Sequence, residues 1–176
     1  MKRLVLFLAV ILSAAGAMAG EGDLSAVSSL KVDLDAVVEL GAVKPVDGIT
    51  SAGQPDEAGF KVFADEGYAV VIDLRTARED RGLDEPAVVE ALGMEYVSMP
   101  IDLSDITIEK AEELGSLLEQ YDEPILVHCA SANRVGALFA LKAFSDTGDA
   151  ELALEVGRAG GMTRLEGTVK EVMGVD

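Results

Sequence analysis

At 176 residues, with 32 acidic against 14 basic side chains and a net charge of −18, the chain is a poor match for nucleic acid or an anionic membrane, because its cations are few and scattered. The length suits a single domain with a substantial core. Its one cysteine excludes an internal disulfide.

Residues 1–19 read as an export signal. Lys2 and Arg3 precede an apolar run from Leu4 to Leu12, and Ala17-Met18-Ala19 gives the small-x-small pattern of a cleavage site. A mature chain beginning at Gly20 would be periplasmic or secreted and free of the membrane, since no later apolar run approaches the roughly 18–20 residues that span a bilayer. Residues 20–31 are polar and rich in small side chains, a flexible lead-in, and the domain proper is expected over 32–176.

Within that domain the segment 43–55 carries Pro45, Asp47-Gly48, Gly53 and Pro55, the mark of short strands and turns. Asp56 caps a predicted helix that runs to about Glu66, and Gly67 stops it. Residues 69–74 follow as a nearly continuous apolar strand of the kind buried on both faces of a parallel sheet. The alternation then repeats, with a helix over 85–92 ended by Gly93 and a strand over 94–99 ended by Pro100. Thr107 is the predicted N-cap of a helix whose apolar stripe is Ile108, Ala111, Leu114, Leu117, Leu118 and Tyr121. A last strand, Pro124-Ile125-Leu126-Val127, leads to helices over 134–144, 150–159 and 164–173, separated by Gly148 and Gly160-Gly161. This order predicts an α/β, three-layer sandwich around a mostly parallel sheet of four or five strands.

The candidate site is the junction of that last strand with the helix after it, His128-Cys129-Ala130-Ser131-Ala132-Asn133-Arg134-Val135-Gly136. It holds the chain's only cysteine and only histidine. Backbone N–H groups of Ala130, Ser131, Ala132, Asn133 and Arg134 at a helix N-terminus would form an anion-binding nest, and the planar Arg134 fork would clamp an oxyanion. A thiol in such a place is a candidate nucleophile. Adjacent strand residues point to opposite faces, so His128 is expected to orient the loop through hydrogen bonds to backbone rather than to take a proton from Cys129. One histidine and one cysteine, side by side in sequence, make a poor zinc ligand set, and no glycine-rich nucleotide fingerprint occurs, so neither metal nor cofactor is expected.

The His-Cys pair at a strand end, with Asp102 upstream in Met99-Pro100-Ile101-Asp102, resembles the cysteine phosphatases and their dual-specificity branch. That resemblance implies Cys129 as the nucleophile on phosphorus and Asp102 as the general acid that protonates the leaving oxygen. A further likeness covers most of the mature chain. Thr50-Ser51-Ala52-Gly53-Gln54-Pro55, Val71-Ile72-Asp73-Leu74-Arg75, the Pro100-Asp102 loop and the cysteine loop together resemble the phosphatase-like domain of beta-lactamase-hydrolase-like proteins. Gln54-Pro55 and Arg75 also have plainer readings, as a helix-start turn and a solvent-exposed charge.

Departures from the phosphatase pattern keep other chemistries open. Four residues separate Cys129 from Arg134, one fewer than in the phosphatase loop, and the rhodanese sulfurtransferases resembled in this respect carry a cysteine persulfide in the shorter loop. Ala132 stands where glycine is common, and a positive φ there would cost on the order of 1 kcal/mol. Val135 replaces the usual hydroxyl residue after the arginine, which implies slow turnover of a phosphoenzyme unless Ser131 substitutes. The expected partner is a phosphorylated substrate, with a sulfur donor as the alternative. A module that binds anions or senses oxidants through Cys129, without turnover, is the non-enzymatic reading.

Overall fold

The computed structural model describes residues 49–176. The predicted leader (1–19), the lead-in (20–31) and the start of the domain at Val32 lie outside the described residues. Four strands, β1 (Ile49–Ala52), β2 (Val70–Asp73), β3 (Glu95–Ser98) and β4 (Ile125–His128), form one parallel sheet in the order β1-β4-β2-β3. Around it lie α1 (Glu57–Asp65), α2 (Glu85–Ala91), α3 (Ile108–Leu118), α4 (Asn133–Thr147), α5 (Ala150–Ala159) and α6 (Glu166–Met173).

Side-chain caps set three of the six described helix starts. The Asp56 carboxylate accepts the Gly59 N–H at 2.8 Å to begin α1, the Thr107 hydroxyl accepts the Lys110 N–H at 3.2 Å to begin α3, and Asp149 accepts two N–H groups at the head of α5. Two elements depart from expectation. A 3-10 turn over Leu103–Asp105 precedes α3, and α6 starts at Glu166 rather than Arg164. Just before it, the N–H groups of Thr163 and Arg164 donate to the Asn133 side chain at 2.7 and 3.0 Å, tying that turn to the head of α4.

The sheet separates two cores, giving the three layers. On one side Val71 and Leu126 pack with Phe60 and Phe63 of α1, Val89 of α2 and Tyr68. On the other, Val70, Ile72, Ile125 and Val127 meet α3 through α6 in a larger cluster with Leu138, Phe139 and Leu141 at its centre. Helix α4 is buried along most of its length, and Gly136 lets it approach the turn after α5: a Cβ there would collide with the Gly157 carbonyl and the Met162 backbone. Truncating Phe139, fully buried in this layer, would cost about 3–5 kcal/mol.

Parallel strands place their carboxyl ends along one edge. Ala52 and Asp73 both pair in register with His128, so the ends of β1, β4 and β2 open side by side, the customary position of a site in an open α/β sheet.

Candidate active site

The cysteine loop leaves β4 between two anchors. Cys129 N–H donates to the Ala52 carbonyl at 3.3 Å, and the Ala130 carbonyl accepts the Gln54 N–H at 3.4 Å, tying the loop to the end of β1. Ala132 then takes a left-handed conformation, φ 58 and ψ −10, and is the one non-glycine residue with positive φ among those described. That turn points the chain into α4. The N–H groups of Asn133, Arg134 and Val135, in the first turn of α4, donate to no backbone acceptor among the described residues, which leaves a set of donors at the head of the helix. Gly161 crowds the outside of the turn, where a Cβ would strike the Ala132 methyl.

Cys129 is 1% exposed and forms the floor of an open cleft of about 340 Å³ whose walls include Thr76, Glu79, Asp102, Ser131, Arg134 and Arg164. The Arg134 guanidinium is clamped from behind. Its Nη1 and Nη2 donate to the two Glu79 carboxylate oxygens at 2.7 and 2.6 Å, and Nη1 also donates to the Ile101 carbonyl at 2.9 Å. Nε–H and the second N–H of Nη2 remain as a side-on fork. The hydrogen bond to Glu79 holds the Arg134 pKa above its ordinary value, with smaller contributions from the nearby Cys129 sulfur. Reciprocally, Arg134 pushes the Glu79 carboxyl down to about 2, against its partial burial.

Glu79 was not singled out by the sequence, nor was the network behind it. Arg75 is 7% exposed, not the solvent-facing charge its plainer reading suggested. Its Nε donates to Glu79 at 3.3 Å, its Nη2 to the Asp80 carbonyl at 2.7 Å and its Nη1 to the Gln54 side-chain carbonyl. The Gln54 amide in turn donates to Glu85 at 2.7 Å, and the other Glu85 oxygen lies 2.7 Å from His128 Nε2. A line of side chains, His128, Glu85, Gln54, Arg75, Glu79 and Arg134, therefore joins the residue before the thiol to the residue that closes the loop. The expectation that His128 bonds backbone is corrected here. Its ring faces a buried carboxylate, and Nδ1 has no hydrogen-bond partner in the described structure. Arg75 and Glu79, four apart, could have been paired from the sequence, but nothing local predicts that Glu79 reaches an arginine 55 residues on.

Asp73, Glu85 and His128 bring three potential metal-ligand atoms within 4.8 Å of one another. Their chemistry suits an arginine better than a metal. Asp73 Oδ2 already accepts Arg81 Nε and Nη2 at 2.7 and 2.6 Å and the Tyr96 hydroxyl at 2.8 Å, so Arg81 supplies the positive charge two buried carboxylates require. Burial first, then that hydrogen bond to Asp73, raises the Tyr96 pKa.

The remaining candidates divide between backbone and rim. Asp102 is exposed on the cleft wall, where Oδ1 accepts the Leu103 N–H at 2.6 Å and its own N–H donates to Asp105 at 2.8 Å, a capping box for the 3-10 turn. Ala130 and Ser131 line the cleft, with Ser131 bridged to Gly53. Asn133 lines the cleft beside them, and its side-chain oxygen is engaged by the Thr163 and Arg164 N–H groups.

Comparison with known proteins agrees with this geometry. The family model described as "DSP-PTPase phosphatase fused to NAD+ Kinase" matches residues 47–162. A beta-lactamase hydrolase-like protein of Agrobacterium fabrum is 27% identical over 106 residues, 58% of this chain and 25% of the relative. One of Xylella fastidiosa is 31% identical over 99 residues, 54% of this chain and 23% of the relative. The match thus spans about a quarter of the curated relatives' length. Among solved structures, a candidate phosphatase of Neisseria meningitidis Z2491 shares the fold at TM-score 0.61 and 20% identity, covering 78% of this chain and 96% of that one. TpbA of P. aeruginosa, solved with phosphotyrosine, does so at TM-score 0.54 and 17% identity, covering 80% and 91%. With more than half of its residues matched by the family model, the chain belongs to the family of dual-specificity-type cysteine phosphatase domains described as fused to NAD+ kinase.

Proposed function

We propose that this chain is an exported hydrolase of phosphate monoesters that works through a cysteinyl-phosphate intermediate. The observation that carries the reading is the arrangement around Cys129: a sulfur at the floor of a cleft, unpaired N–H groups at the head of α4, and an Arg134 fork held from behind by Glu79. In the first step the Cys129 thiolate forms a bond to phosphorus as the ester oxygen leaves, taking a proton from Asp102. Arg134 and the N–H groups of residues 130–134 stabilise the charge on the three equatorial oxygens, a contribution of about 3–4 kcal/mol per well-placed donor. In the second step the Asp102 carboxylate takes a proton from water, the water oxygen bonds to phosphorus, and the sulfur departs as thiolate. A phosphotyrosyl side chain is one ester of this class. Export rests on the leader-like pattern of residues 1–19.

One observation favours a second reading. Only four residues lie between Cys129 and Arg134, a loop length that suits a persulfide and sulfur transfer. Both activities are assayed on the mature protein and on Cys129→Ser under reducing conditions, with an aryl phosphate and with thiosulfate plus cyanide. The expected result is phosphate release that falls at least about a thousandfold in the variant. Cysteine-dependent thiocyanate formation without phosphate release would replace the phosphatase reading with the sulfurtransferase one.

A further inference from the structure

The described part of the chain has ten lysines and arginines, and in so acidic a protein eight of them are paired with a carboxylate: Lys61, Arg75, Arg81, Lys110, Arg134, Lys142, Arg158 and Lys170. Arg78 and Arg164 are the exceptions among the described residues. Only Arg164 lines the Cys129 cleft. With carboxylates so abundant, an exposed guanidinium left without one is the site's available charge for a ligand.

Its position is built rather than incidental. The Arg164 N–H donates to Asn133 Oδ1 at 3.0 Å, beside the Thr163 N–H at 2.7 Å, and Asn133 belongs to the cysteine loop. The turn after α5 is fixed twice more, by the Ser51 hydroxyl on the Gly160 carbonyl at 2.6 Å and by the packing of Gly161 on Ala132. The backbone carrying Arg164 is thus tied to the same residues that shape the cradle, while its side chain makes no hydrogen bond to the described protein. Arg134 differs in having Nη1 and Nη2 engaged by Glu79, which leaves its side-on fork for the reacting group.

We propose that Arg164 binds a second anionic group of the substrate, so that the preferred substrate is a phosphate monoester carrying another oxyanion, a carboxylate or a second phosphate, rather than a singly anionic ester. This rests on the phosphatase reading and specifies its substrate class. A planar guanidinium offers such a group a bidentate, charge-assisted contact. It also offsets the repulsion that a chain of net charge −18 presents to a doubly charged ligand, which a neutral rim would not.

The test uses matched probes: phenyl phosphates bearing a carboxylate on arms of graded length, their methyl esters, and phenylene bisphosphates set against phenyl phosphate. Each protein is read by its own ratio of kcat/KM for the doubly anionic over the singly anionic probe, so general loss of activity cancels. The wild type is expected to favour the doubly anionic member of at least one pair by about tenfold, chiefly in KM. Arg164→Gln should bring that ratio to near one, with Arg164→Lys between, and added salt should shrink the wild-type preference. The bisphosphate and carboxylate arms tell which oxyanion is taken. The same probes are titrated against Cys129→Ser protein by calorimetry, which needs no turnover. A binding preference that vanishes with Arg164→Gln, without Cys129-dependent phosphate release, would sink the phosphatase reading while keeping this site. Equal affinities, no affinity for either probe, or a ratio unmoved by Arg164→Gln would overturn the site itself.

Discussion

The floor of the cleft and its rim are built in opposite ways. Counting with the floor the Arg134–Glu79 pair beside Cys129 and the network packed behind it, each charged side chain is buried or half-buried and answered by a partner: Arg134 by Glu79, Arg75 by Glu79 and Gln54, Glu85 by His128 and Gln54, Asp73 by Arg81 and Tyr96. On the rim Asp102, Leu103 and Arg164 are exposed, and Leu103, 64% exposed, is the one large apolar side chain among the described residues left so open. Charges that must hold one geometry are better fixed by partners within the protein, since rearranging them during a reaction consumes the stabilisation they provide. Groups that meet varied molecules gain from remaining uncommitted. The floor therefore governs the reaction and the rim governs which molecule undergoes it.

Asp102 is the sharpest challenge to that division, because it sits on the rim and yet is assigned a chemical step. Asp102→Asn should lower kcat by about a hundredfold for alkyl phosphates, whose leaving oxygen needs a proton, and far less for p-nitrophenyl phosphate, whose leaving group does not. An equal loss on both would return Asp102 to its capping role alone. On the floor, Glu79 acts through Arg134 as a positioning residue. Glu79→Gln should lower kcat by roughly tenfold with little change in KM.

The same pair sets an acid response. Because Arg134 depresses the Glu79 pKa to about 2 from an ordinary 4.5, its contribution to stability is complete above about pH 4.5 and is lost as pH falls toward 2. Urea unfolding across that window should show a loss of up to about 3 kcal/mol in the wild type that Glu79→Gln largely lacks. The smallest effect expected is at Leu103. Leu103→Ala should raise KM for aryl phosphates about two- to threefold and leave alkyl phosphates unchanged, as befits partial cover of an aromatic ring. A large fall in kcat there would break the separation of rim from floor.

The sequence disclosed what is governed by near neighbours. Strand, loop and helix around Cys129, the caps at Asp56 and Thr107 and the buried run of β2 all follow from periodicity and capping chemistry, whereas the positive φ that Ala132 adopts was only a cost the sequence could name. The likeness quoted from Gln54-Pro55 and the Val71 to Arg75 strand end was carried by residues whose purpose only the fold reveals. Arg75 reads as a surface charge until β2 is seen to end beside β4. Likewise His128 and Glu85 stand 43 residues apart and Glu79 and Arg134 stand 55 apart, distances over which no pattern of apolar spacing reports. Strand order β1-β4-β2-β3 is what brings them together.

Gln54 has a consequence of its own. It joins an acid, Glu85, to a base, Arg75, and does so because a carboxamide is a donor at one end and an acceptor at the other. It works as a polarity converter in the network behind the cleft. A glutamate there would confront Glu85 with a second negative charge, a lysine would confront Arg75 with a second positive one, and an asparagine would fall a methylene short of both. The alternation of sign around the loop, acid against base from one end of the thiol's cradle to the other, can close only through a neutral side chain of this length that presents both faces of a hydrogen bond.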